Sequence, residues 1–215
     1  IRLQTKDSGG LTLEKAVTLS VTDINEAPTA INLSSTSFNE NISAGSAVAS
    51  LTTSDPDAGD SFTYALVTGA GSSDNALFLI DGSQLKIKAS PDFEAKNSYN
   101  IRLQTKDSGG LTLEKAVTLS VTDINEVPTA LNLSSASFNE NISAGSAVTS
   151  LTTSDPDAGD SFTYALVTGA GSSDNALFLI DGSQLKIKAS PDFEAKNSYN
   201  IRLQTKDSGG LTLEK

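Results

Sequence analysis

The 215-residue chain repeats itself with a period of 100. Residues 1–26 recur unchanged at 101–126, and residues 51–115 recur unchanged at 151–215. The only substitutions between copies are Ala27/Val127, Ile31/Leu131, Thr36/Ala136 and Ala49/Thr149. Stacked solenoid repeats run to about 20–50 residues, whereas about 100 residues is near the commonest size of a whole domain. The period therefore reads as a bead on a string. Pro28 and Pro128 stand just past the bead boundaries. This predicts three pieces: 1–26, the C-terminal strands of a preceding repeat; 27–126, a complete repeat; and 127–215, a repeat lacking its last strand.

Within a period the apolar residues alternate. Tyr99, Ile101, Leu103 and Thr105 are interleaved with Asn100, Arg102, Gln104 and Lys106, and Val117, Leu119 and Val121 with Thr118 and Ser120. Phe62, Tyr64 and Leu66, and then Leu85 and Ile87, keep the same two-residue period, that of a strand with one buried face. Asp81-Gly82 reads as a two-residue hairpin turn, and Asp107-Ser108-Gly109-Gly110 as a second reversal. Seven strands are predicted, near 31–36, 46–53, 61–68, 77–80, 84–88, 99–106 and 111–122. No segment carries a 3.6-residue stripe, and 41–49 holds a turn of helix at most. The fold class is all-β: tandem seven-strand Greek-key β-sandwiches of immunoglobulin-like architecture.

Composition removes several kinds of chemistry. With no His and no Cys there is no imidazole base, thiolate nucleophile, zinc finger or disulfide framework. A net charge of −11 argues against a nucleic-acid partner, which needs clustered Lys and Arg. No run of about 18 apolar residues is present, so no membrane insertion is expected in this segment.

The acids sit at strand ends and in loops. Asp155-Pro156-Asp157 follows the second strand, Asp192-Phe193-Glu194 precedes the sixth, and Asp207 ends the sixth. Glu140 lies near the first strand, and Asp123-Ile124-Asn125-Glu126 leads from the seventh strand into the next bead. If strands alternate in direction, the loops of successive beads meet at their poles. The junction at 126/127 would then gather Glu40, Asp92, Glu94, Asp123, Glu126, Asp155, Asp157 and Asp207. Each close pair of bare carboxylates costs roughly 1 kcal/mol in water and about 4 kcal/mol at an effective dielectric of 20. Such a site stays open and solvated or holds cations. Oxygen ligands without His or Cys suit calcium, which accepts six to eight oxygens in flexible geometry, better than magnesium. The run Asp155 to Asp160 is not an EF-hand loop, because Gly159 comes one place early and the twelfth position is Leu166.

These motifs resemble the cadherin repeat over the full period, and most closely the bacterial cadherin-like repeats of large surface proteins. Asn39-Glu40-Asn41 and Asn139-Glu140-Asn141 are similar to the family's Glu motif near the first strand. Asp92-Phe93-Glu94 and Asp192-Phe193-Glu194 resemble its Asp-Arg-Glu motif, and Asp55/Asp57 and Asp155/Asp157 its Asp-x-Asp motif. The linkers Asp23-Ile24-Asn25-Glu26 and Asp123-Ile124-Asn125-Glu126 resemble its Asp-x-Asn-Asp-Asn linker, and Asp107 and Asp207 its last Asp. The resemblance implies that these residues ligate calcium, up to three ions per inter-repeat junction, and that the ions rigidify the array. Glu126 in place of the second linker Asp, and Ala27 or Val127 in place of the last Asn, depart from the family at the third site. The absence of Trp removes the tryptophan exchange of vertebrate adhesive cadherins.

The resulting expectation is an extracellular, cell-surface stalk or adhesive segment stiffened by calcium, with neighbouring repeats of the same chain as its partners. A carbohydrate-binding module would need exposed aromatic platforms for cell-surface glycans. An enzyme using Asp92 and Glu94 as a carboxylate pair would need an apolar pocket to raise one pKa; no enzymatic activity is expected. Homotypic or head-to-tail self-association, giving a surface filament, is the further alternative, since residues 16–26 repeat the strand that 127–215 lacks.

Overall fold

The computed structural model describes residues 1–215. Residues 1–26 contribute β1 (Arg2–Lys6) and β2 (Thr12–Ala16). The next period contributes β3 (Ala30–Leu33), β4 (Ser37–Asn39), β5 (Ala47–Ser54), β6 (Thr63–Leu66), β7 (Phe78–Asp81), β8 (Gln84–Ile87), β9 (Ser98–Lys106) and β10 (Thr112–Thr122). Residues 127–215 contribute β11 (Ala130–Leu133), β12 (Ala147–Ser154), β13 (Thr163–Leu166), β14 (Phe178–Asp181), β15 (Gln184–Ile187), β16 (Leu203–Lys206) and β17 (Thr212–Glu214). The chain divides into two compact units. One comprises Ile1–Thr36, Gly45–Lys88 and Asn100–Thr118; the other comprises Ser37–Ala44, Ala89–Tyr99 and Leu119–Lys215. The division runs through the 27–126 period, so one end of that period is grouped with residues 127–215.

In the first unit β1 and β2 form an antiparallel hairpin from Arg2↔Ala16 to Lys6↔Thr12, exposed on both faces. Strands β3-β5-β8-β7 form an antiparallel sheet, and β6 pairs with residues 103–106 of β9. The alternation seen in the sequence becomes burial: Ile31, Leu51, Phe78, Leu85, Ile87, Ile101 and Leu103 are at most 2% exposed. Apolar burial of this kind contributes roughly 25 cal/mol per Å² removed from water. Thr53 and Thr105 join their hydroxyls at 2.7 Å between β5 and β9, so the buried polar atoms are paired. A register shift between Ala47 and Ala49 lets the consecutive residues Val48 and Ala49 both face inward.

The second unit repeats this plan with β11-β12-β15-β14 in one sheet and β13-β16-β17 in the other. The chain leaves the first sheet after β12, forms β13 in the second and returns for β14, the Greek-key order of immunoglobulin-like sandwiches. Leu131, Val148, Leu151, Phe178, Leu185, Ile187 and Leu203 form its core. Thr149 replaces Ala49 without stranding its hydroxyl, which lies 3.2 Å from Ser134 Oγ and accepts the Ser135 N–H at 3.1 Å.

The structure departs from the sequence reading at strand β4 and at the first hairpin turn. Strand β4 was not expected, because three residues are too few to show a period. It pairs parallel with the end of β10, Ser37↔Ser120 to Asn39↔Thr122, so strict alternation of strand direction does not hold there. The hairpin turn is Gly82-Ser83, with Asp81 still paired to Gln84 and Gly82 at φ 59°. Residues 41–46 form turns and no helix, while short 3₁₀ turns occur at Asn75–Leu77 and Asn175–Leu177. Residues 137–139, the equivalent of β4, form no strand; no counterpart of Ser120–Thr122 lies beside them in the 215 residues. No helix is long and apolar enough to cross a membrane.

Candidate metal centres

The second unit brings Glu40, Asp92, Glu94, Asp123, Asn125, Glu126, Asp155, Asp157 and Asp207 into one connected set. Its anchor is Glu40, which is 2% exposed. Asn39 ends β4, and the Glu40 N–H donates to the Thr122 carbonyl at 3.1 Å, which carries the carboxylate inward. Glu40 Oε2 accepts the Phe93 N–H at 2.8 Å and Oε1 accepts the Ile124 N–H at 2.8 Å. One buried carboxylate thus ties the Asp-Phe-Glu loop to the linker. Glu40, Asp92 and Glu94 offer oxygens within 4.8 Å of one another, and so do Glu94, Glu126 and Asp157. The Asp92 carboxylate accepts the Ala95 N–H at 2.8 Å, which fixes its loop.

The linker is held by the loop after β12. The Glu126 N–H donates to Asp157 Oδ2 at 2.7 Å, and Asp157 donates its own N–H to Asp155 Oδ1 at 3.1 Å. Asn125 Nδ2 donates to Asp207 Oδ2 at 3.2 Å and to the Glu126 carbonyl at 3.3 Å. Glu126 Oε1 accepts from Asn41 Nδ2 at 2.7 Å. Asn41 has φ 58°, a left-handed conformation that Asn tolerates better than most side chains.

The first unit repeats the arrangement around the other linker. Glu26 N–H donates to Asp57 Oδ2 at 2.7 Å, Asp57 N–H to Asp55 Oδ1 at 3.0 Å, and Asn25 Nδ2 to Asp107 Oδ2 at 3.2 Å. Asp23, Glu26 and Asp57 form one group of oxygens within 4.8 Å, and Asp55, Asp60 and Asp107 another. In the second unit, Glu140, Asp192 and Glu194 repeat the group of Glu40, Asp92 and Glu94, but exposed throughout. There Glu140 accepts the Phe193 N–H at 3.1 Å, and Asp192 the Glu194 N–H at 3.1 Å.

The structure also places Asp60, Asp160 and Asn41 beside these groups, which the sequence reading does not include. The signal for the acids was present in Asp-Pro-Asp-Ala-Gly-Asp, but it reads equally as a turn. Gly59 and Gly159 adopt φ 97° and 103°, bending each loop back toward its own start. Ser108 and Ser208 then donate to Oδ1 of Asp60 and Asp160, at 2.7 and 2.5 Å.

The electrostatics carry the mark of crowded acids. Burial raises the Asp155 carboxyl above the ordinary Asp value, and the charges of Asp157, Asp160 and Asp207 add to it. Burial, then Asp157, Glu40 and Asp160, raise Asp123. Glu94 is raised by burial and by Glu40, Glu126 and Asp123. The Asn41 hydrogen bond lowers Glu126, yet burial and the charges of Glu40, Asp157 and Asp92 leave it raised. Asp57 raises Glu26 through a side-chain hydrogen bond and its charge. Asp207 goes the other way: burial pushes it up, but the Asn125 amide and the N–H groups of Leu211, Gly210 and Gly209 outweigh this and hold it low.

These groups fit a hard divalent cation. Buried oxygens of Asp55, Asp60, Glu126, Asp155 and Asp160 (Oδ2 in each Asp, Oε2 in Glu126) have no hydrogen-bond partner. A buried carboxylate oxygen without a partner is costly, and Asp55, Asp60 and Glu126 belong to the acidic groups above, while Asp155 feels the charge of Asp160. All-oxygen ligation without nitrogen or sulfur is the chemistry calcium prefers.

No family model matches the chain. It is 28% identical over 221 residues to human Protocadherin-1, which covers 97% of the chain but 21% of that protein. Chicken Cadherin-7 is 32% identical over 124 residues, covering 53% of the chain and 16% of that protein. Among solved structures, human Protocadherin-24 EC1-2 aligns with TM-score 0.65 and 21% identity over 89% of this chain and 93% of that one. Protocadherin Gamma B2 extracellular cadherin domains 1-5 align with TM-score 0.59 and 20% identity, over 100% of this chain and 49% of that one. The chain thus spans about a fifth or less of the curated relatives it matches.

Proposed function

We propose that this chain, whose repeats are cadherin-like in sequence and fold, is a calcium-binding segment of an extracellular, cell-surface protein. It acts there as a stalk whose junctions are stiffened by calcium. The observation that carries the reading is the set of partnerless buried carboxylate oxygens around Glu126 and Asp155, repeated around Asp55. In the second unit, Glu40, Asp92 and Glu94 would hold one ion, Glu94, Glu126 and Asp157 a second, and Asp155, Asp160, Asp207 and Asn125 a third. Asp23, Asn25, Glu26, Asp55, Asp57, Asp60 and Asp107 would supply the equivalent part of a junction in the first unit. A bound cation supplies the positive charge that these carboxylates lack. Glu40 fixes the Asp-Phe-Glu loop to the linker, Asp157 fixes the linker backbone, and Asn125 ties the linker to Asp207.

Neither an enzymatic nor a glycan-binding role is proposed. The raised carboxyls are raised by burial together with other carboxylates, as in a cation site, and not by an isolated apolar pocket. Tyr99 is buried, Tyr64 is half-buried with its hydroxyl 3.1 Å from that of Thr53, and Phe193, though exposed, is a single ring and no platform. Titration of the metal-free chain with calcium chloride in a calorimeter tests the reading. Saturable binding of several ions per chain, at the roughly 10⁻⁴–10⁻³ M typical of extracellular modules or tighter, is expected. Heat no larger than that of dilution would overturn it.

A further inference from the structure

Each bead carries two consecutive glycines in the turn between its last two strands: Gly9-Gly10, Gly109-Gly110 and Gly209-Gly210. The second of each pair has φ between 91° and 102°, so the backbone itself calls for glycine there. The first does not share that conformation. Its requirement differs from copy to copy. At Gly109 a Cβ would overlap the side-chain amide of Asn25, and at Gly209 that of Asn125; in each case the three nearest atoms all belong to that one Asn. At Gly9 the same turn closes with the same hydrogen bonds, Gly10 N–H to the Asp7 carbonyl at 3.1 Å and Leu11 N–H to Asp7 Oδ1 at 2.8 Å. Asn25 stands 84 positions before Gly109 and Asn125 84 before Gly209, whereas none of the 215 residues stands at that spacing before Gly9; there a Cβ would meet only the Asp7 side chain, Oδ1 at 3.4 Å and Cγ at 4.0 Å.

The turn therefore tolerates a Cβ at its first glycine until a linker is docked on it. We infer that Gly109 and Gly209 are positioning residues for the linker: the missing side chain is a notch that seats Asn25 or Asn125. Seated there, the amide reaches Asp107 or Asp207 with one N–H and its own linker carbonyl at Glu26 or Glu126 with another. A bead receives the preceding linker only if it keeps this notch. The pairing is specific, because the space released by one Cβ is filled by one planar amide. The effect on calcium rests on the function proposed above; the seat itself does not.

The test compares Gly209→Ala, Asn125→Ala, their double variant and Gly9→Ala in the 215-residue chain, with two readouts. The first is calcium affinity by calorimetry. Gly209→Ala is expected to weaken binding about tenfold or more, as loss of a supporting residue around a metal does. The double variant is expected to be no weaker than the stronger single one, and Gly9→Ala to match the parent. The second readout, in metal-free protein, is the Asn125 side-chain amide signal in NMR, expected to shift in Gly209→Ala and not in Gly9→Ala. If Gly209→Ala does not fold, adding Asn125→Gly is expected to restore folding, and failure to do so overturns the notch. Equal behaviour of Gly209→Ala and Gly9→Ala overturns it, as does a double variant in which the single losses multiply. A parent chain that binds no calcium refutes the proposed function alone, and the amide signal then decides the seat.

Discussion

The backbone N–H of Glu126 donates to Asp157 Oδ2 at 2.7 Å, and that of Glu26 donates to Asp57 Oδ2 at the same 2.7 Å. One acid of each loop thus holds the linker by its main chain while the linker's own carboxylate joins the acidic group. Attachment and charge crowding come from the same residues, so under the proposed function a bound cation would act on the linker's own attachment.

Glu40→Ala is expected to destabilise the metal-free chain by about 2 kcal/mol, because it strands the N–H groups of Phe93 and Ile124. The same change at the exposed Glu140 is expected to cost about 0.5 kcal/mol or less. Chemical denaturation in chelator, both variants side by side, checks the contrast. Equal losses would mean that Glu40 does not clamp the linker.

Asp60→Asn and Asp160→Asn keep an acceptor for Ser108 and Ser208 and remove one negative charge. Each is expected to weaken calcium binding about tenfold while raising the melting temperature of the metal-free chain. Opposite signs for the two effects separate a ligand acid from a turn acid, which would show neither.

The pH dependence follows from Glu26, Glu94, Asp123, Glu126 and Asp155, whose folded pKa values are raised. The folded state then binds more protons than the unfolded state between the ordinary carboxylate value and the raised one. Stability therefore rises as pH falls from neutral into that window. Asp81, Asp174, Asp181, Asp207, Glu114 and Glu214 are lowered, and their contributions are lost only at more acid pH, as each protonates. Calorimetric melting in chelator is expected to show a higher transition in mildly acidic buffer, just above the ordinary carboxylate range, than at neutral pH, and the order is expected to reverse in excess calcium. A metal-free transition that falls steadily from neutral pH would contradict this.

Much of this was legible in the chain. Alternation placed Ile101 and Leu103 inside, and the repeat placed each acid twice in one local setting. What was not legible depends on backbone geometry. Asp160 sits three residues beyond Asp157 and looks like a turn residue until Gly159, at φ 103°, bends the loop back. Asn41 follows the anchoring Glu40, and its role depends on a left-handed φ that brings its amide to Glu126. Strand β4 has three residues, below the length at which a two-residue period can be seen, and its parallel pairing is long-range. Gly209 resembles any turn glycine until Asn125 is found against it.

The most direct measurement is small-angle X-ray scattering of the 215-residue chain in millimolar calcium and in chelator at the same ionic strength. A single, well-defined maximum dimension is expected with calcium, and a broader distance distribution with a changed maximum dimension once it is removed. Superimposable curves in the two buffers, with the protein folded in both, would contradict the claim that calcium at these carboxylates sets the stiffness of the junctions.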